Sequence, residues 1–168
     1  MTAHPHALPA TLKSLALAGL AGGIAEVLWV GAYCALMPLS ALDVLRQITA
    51  SVAPSAAHSA IAPALGMVIH LALSIALAIA YALAMGIART RSSTLAGAIA
   101  TAVATLAAVW MLNFFVLLPQ LNPAFVALMP YPVTLLSKLL FGAAMGLVLH
   151  REYANRPAAT PAGIAIPH

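Results

Sequence analysis

Charge is what this 168-residue chain has least of. Asp, Glu, Lys and Arg together make up 6% of it, against about 25% in a typical soluble domain. Water cannot be the main solvent for a folded surface of that composition. Hydrophobic residues reach 64% and mean hydropathy is +1.04, which points to lipid instead. Cysteine is nearly absent: Cys34 stands alone, which excludes an internal disulfide and any multi-thiolate metal site. Aromatics are sparse at 6% and none interleave with a basic cluster, so nucleic acid is excluded as a partner. Acids are the rarest charged class, with Glu26, Asp43 and Glu152 the only three. They fall in separate segments, so a paired-carboxylate hydrolytic site has no basis. A Ser–His–acid arrangement and a phosphate-binding loop are missing too. The chain reads as a non-enzyme, with neither a metal nor a cofactor expected.

What is present is four long apolar runs. They cover 12–37, 63–88, 94–118 and 132–149, and each approaches the roughly 20 residues needed to cross hydrocarbon at about 1.5 Å per residue. The expected fold is all-α: a polytopic membrane protein built as a four-transmembrane-helix bundle over 12–150. Residues 1–11 read as an N-terminal tail, and 151–168, rich in Pro and Ala, as a disordered cytoplasmic tail. Lys13, Arg89, Arg91, Arg151 and Arg156 all fall on one side of a four-span layout. The positive-inside rule makes that side the cytoplasm and places both termini there.

The first outer loop carries its own helix signal. Ser40 and Asp43 form an S-x-x-D capping-box pattern, and Leu42, Leu45, Ile48 and Val52 recur at helical spacing. This predicts a short amphipathic helix lying on the outer interface, stopped by Pro54. In the second outer loop, Asn122-Pro123 is a cap-and-start signal for a further turn. Trp29 precedes Pro38 by the same spacing that Trp110 precedes Pro119, which suggests two similar hairpins. Gly19-x-x-x-Gly23 and Gly142-x-x-x-Gly146 are small-residue pairs of the kind that let membrane helices approach closely.

Ionisable groups inside a bilayer are unfavourable by about 2.5–3.5 kcal/mol on the insertion scale, so each needs a reason. Glu26, His70 and Lys138 are the candidates, with Asn113 their main polar neighbour. Helical rise puts all four in the outer half, about 8–16 Å below the outer ends of their spans. Ser74 shares a face with His70, and Tyr33 shares one with Glu26. The expectation is a polar intramembrane cluster of Glu26, His70, Asn113, Lys138, Tyr33 and Ser74. It serves either as a buried Glu26–Lys138 pair that fixes helix register or as a site for a proton, a small solute or a headgroup. His70 has no second deep histidine to complete haem or metal ligation.

Three segments carry a resemblance. They are Gly66-Met-Val-Ile-His70, the run from Trp110 to Pro119, and Asn122 to Tyr131 followed by Ser137 to Gly142. Over about 12–150 the chain resembles, by pattern, a group of small bacterial four-helix membrane proteins, some of which carry a sodium:proline symporter label. The resemblance implies a bacterial inner membrane and no assigned activity. Small size, the lack of a catalytic constellation and glycine-rich spans lead to the first expectation, a non-catalytic accessory or structural subunit of a larger inner-membrane assembly such as a respiratory one. Its partners would be the lipid bilayer and other membrane subunits, or further copies of itself. An alternative is a small oligomeric transporter or channel that uses Glu26, His70 and Lys138. A third is lipid or quinone binding, with His70 and Tyr33 at the headgroup.

Overall fold

A computed structural model describes residues 11–88 and 94–154. Helix α1 (Leu12–Leu36) starts at Thr11, whose hydroxyl accepts the Ser14 N–H. Helix α2 (Ala41–Val52) and a 3-10 turn at Pro54–Ala56 lead to α3 (Ala62–Ala88). Helix α4 (Leu95–Leu112) is capped by Thr94 and passes through a π-turn at Asn113–Leu117 into α5 (Leu118–Leu121). A short α6 (Pro123–Leu128) precedes α7 (Tyr131–Ala154). The described residues contain no strand. Four stretches are long and apolar enough to cross a membrane: Leu12–Leu36, Ala62–Gly86, Leu95–Leu121 and Tyr131–Ala154.

Apolar side chains face outward as well as inward. Leu28, Val68 and Leu83 are all more than 60% exposed, which suits hydrocarbon and not water. The interior is made of small residues around a few large ones. Ala18, Ala78 and Ala102 are fully buried with Leu106, Phe141 and Met145. Such an interior allows near contact of backbones, and two glycines show how near. A Cβ on Gly19 would lie 2.6 Å from the Ile75 Cα on α3, and one on Gly142 would lie 2.8 Å from the Val103 Cα on α4. The glycine pairs thus mark the α1–α3 and α7–α4 seams.

Helix α7 packs on both α1 and α4, and α1 packs on α3. The four long helices therefore run α3–α1–α7–α4. At the end that carries Thr11 and Ala154, the terminal end, Tyr81 of α3 hydrogen-bonds Thr101 of α4 and closes the bundle. At the opposite, loop end, α2 covers α3. Thr49 donates to the Ala62 carbonyl at 2.6 Å, and glycine at position 66 lets the α2 backbone lie against α3.

Several boundaries differ from the expected ones. The third span does not end at Pro119. The Leu118 N–H bonds to the Asn113 carbonyl, five residues back, and this wider π-turn absorbs the missing proline N–H, so helix continues to Leu121. The fourth span does not end at 149. Ser14 donates to Glu152 Oε2 at 2.7 Å, which ties the last turn of α7 to the start of α1 and makes residues 151–154 helix and not tail. The rest of the two expected tails, 1–10 and 155–168, lies outside the described residues, as do Arg89 and Arg91. The Ser40 capping box does not form. Ser40 occupies the N-cap without a side-chain bond, and Asp43 pairs with Arg46 at 2.8 Å instead. Asn122 does cap α6, accepting the Phe125 N–H at 3.2 Å. The hairpin similarity does not extend to packing. Trp29 and Trp110 both donate to the first turn of α7, to the Val133 carbonyl and the Thr134 hydroxyl, each at 3.0 Å.

Candidate functional site

The row order leaves a gap at the loop end between α3 and the α4–α5 segment. A cavity of about 520 Å³ fills it, within the roughly 300–1,000 Å³ typical of small-molecule pockets. Helices α1 and α7 form its floor. Val44, Ile48 and Val52 of α2 close it from above, and Phe114, Leu117 and Phe125 form the far wall.

The polar floor centres on Glu26, only 5% exposed. It lies on the same stripe of α1 as Gly19 and Gly23, so the closest helix approach also delivers the carboxylate inward. Ser137 donates to Oε1 at 3.0 Å, and Lys138 Nζ bonds Oε2 at 2.8 Å. Lys138 also sits 5.4 Å from the centre of the Phe141 ring, a cation–π distance. Lys138 therefore points at Glu26 and does not reach outward for the interface. Both carboxylate oxygens are partnered, which is the condition under which a buried ion pair is tolerated.

His70 enters from α3. Its Nε2 lies 3.1 Å from the Gly23 carbonyl of α1. A carbonyl only accepts, so Nε2 carries a proton, and Nδ1 is an acceptor whenever the ring is neutral. Ser74 donates to the His70 carbonyl at 2.7 Å, and its hydroxyl occupies the space a Gly23 side chain would need.

Asn113 opens the π-turn and lines the same cavity. Its side-chain amide has no hydrogen-bond partner among the described residues. Asn113 is half-buried, and π-turns inside α-helices occur frequently at functional sites. Pro119 sets the turn, and the turn sets where Asn113 sits.

Of the six residues expected to cluster, Glu26, His70, Ser74, Asn113 and Lys138 line one cavity. Tyr33 does not. It packs with Cys34, Val44 and Met129 under the loops. Two further residues matter. Ser137 stands beside Lys138 in sequence, but its partnership with Glu26 depends on which helix lies opposite. Asn122 reads as a cap, yet its side-chain nitrogen also lies 3.0 Å from Gln47 Oε1, the Gln47 carbonyl and Ser51 Oγ. It latches the second loop to α2 and so holds the roof.

The arrangement combines apolar walls, a self-neutralising ion pair, one free lone pair and one free amide. It can hold a molecule with a polar head and an apolar body. Searches against protein-family models, curated proteins and solved structures found no match to this chain.

Proposed function

We propose that this chain is a multi-pass protein of the bacterial inner membrane, with both termini in the cytoplasm, that binds a single amphiphilic, lipid-like molecule. The polar head sits against Glu26, Lys138, His70 and Asn113, and the apolar body leaves through the gap between α3 and α4. The role is binding and presentation, not catalysis. The observation that carries this reading is the cavity itself: it has an apolar wall, opens beside a gap between long apolar helices, and has an unpartnered amide inside it. The reading is compatible with an accessory subunit that holds a lipophile for a larger assembly.

The test uses a blocking substitution. Gly31 lines the cavity, and a Cβ there meets nothing within 4 Å, so Gly31→Phe fills the space without disturbing a helix seam. Native mass spectrometry of the chain released gently from its own membrane should show a bound lipophile at one per chain. The Gly31→Phe protein should elute as the same monodisperse, helical species and lack the adduct. A wild-type chain without an adduct, or a variant that keeps it, would count against the proposal.

A further inference from the structure

The polar groups of the cavity say which kind of head they fit. We infer that the ligand is a neutral, carbonyl-bearing planar lipophile of the quinone class, its carbonyl oxygens accepting from the Asn113 amide and Lys138 Nζ. This rests on the binding reading above and narrows it.

Charge is the first argument. Among the described residues, Glu26 and Lys138 are the only ones with a formal charge on the cavity wall, and they neutralise each other at 2.8 Å. An anionic head would place a second negative charge beside a carboxylate that is 5% exposed, with one ammonium to balance both. A cationic head would do the reverse. A neutral head leaves the net charge of the site at zero, so it alone binds without an uncompensated buried charge.

Hydrogen-bonding capacity is the second. Both Glu26 oxygens are engaged, by Ser137 and Lys138. The ammonium has three donors and spends one on Glu26, and the Asn113 amide brings donors of its own. Acceptors are present too: His70 Nδ1, the Asn113 oxygen and the second lone pair on each Glu26 oxygen. A site with donors to spare suits a head that chiefly accepts, such as a pair of ring carbonyls.

Shape is the third. Of the three phenylalanines around the cavity, Phe114 and Phe141 are buried by protein, and the partly exposed Phe125 offers aromatic surface to a planar ring. An acyl ester gains nothing comparable from it.

The test is a titration of the full-length chain in nanodiscs with three probes of similar tail length: decylubiquinone, dodecanoate and monolaurin. Trp110 stacks on Phe114 with ring centroids 5.6 Å apart, so in a Trp29→Phe background its fluorescence reports a quinone in the cavity, and the other two probes are read by their competition. Decylubiquinone should quench saturably and bind tightest. Asn113→Leu, which removes no existing hydrogen bond, should weaken it about tenfold. The double variant Glu26→Gln with Lys138→Met, which removes both charges together, should weaken it as well. Tighter binding by dodecanoate or monolaurin overturns the quinone assignment and leaves the binding reading standing. Quinone binding indifferent to Asn113→Leu overturns the head contacts. Failure of all three probes to bind, together with an adduct-free native spectrum, removes both proposals.

Discussion

Glu26 and Lys138 carry most of what a single side chain contributes to this molecule. Removing one partner strands the other in an apolar interior, so Lys138→Met alone should lower stability by about 3–5 kcal/mol. Glu26→Gln with Lys138→Met should cost clearly less, because no charge is left behind. Unfolding titrations in mixed micelles measure both, and equal losses in the single and double variants would show that the pair is not coupled. These residues were legible in the sequence because charge inside a long apolar run always stands out. Tyr33 shows where that reasoning stops. It shares a helical face with Glu26 but lies about 10 Å further along the axis, and at that height Val44 and Met129 cover the face. A face can be counted from sequence, whereas the neighbour covering it depends on other elements.

At the scale of elements, the long helices follow directly from apolar length, and α2 from its amphipathic spacing. The π-turn does not, because its cause is Pro119 together with the need to keep the helix going, and a proline in an apolar run ordinarily reads as an end. The same holds for the last turn of α7. Arg151 and Glu152 look like a terminus until Ser14 is seen bonded to Glu152. The roof is held by α2, and its attachment can be weakened at one point. Asn122→Ala removes the contacts to Gln47 and Ser51, and should loosen α2 by about 1–3 kcal/mol. Hydrogen exchange should then rise across Ala41–Val52 with little change in α7. At the α7–α4 seam, Gly142→Leu should prevent close packing, since even a Cβ meets the Val103 backbone. Loss of a folded, monodisperse species in size-exclusion chromatography is the expected outcome.

For the whole molecule, four spans and an orientation can be argued from hydropathy and from lysine and arginine alone, but the order α3–α1–α7–α4 cannot. All four spans have small residues and polar spots, so several neighbour orders satisfy the same pattern. The order depends on which glycine faces which backbone, a match of shape and not of composition. It decides that the gap falls between α3 and α4 and hence where a cavity can form. Orientation has a direct check. With Cys34 changed to alanine, His58→Cys at the loop end and Arg151→Cys at the terminal end, both exposed positions, should react oppositely. A membrane-impermeant maleimide added to spheroplasts should label the first and spare the second. The reverse pattern would invert the proposed topology.

The central position of α7 has a consequence for biosynthesis. Glu26 and Lys138 are 112 positions apart, and α1, α3 and α4 all precede α7 in the chain. The α1–α3 seam can close early, but α4 finds its main neighbour only when α7 arrives. At about 5–20 residues per second, the nascent protein passes several seconds with an acidic side chain in the translocon or bilayer and no lysine to meet it. During that interval Glu26 must be protonated, hydrated or chaperoned. The insertion machinery, and not the finished bundle, is therefore where this carboxylate makes its heaviest demand.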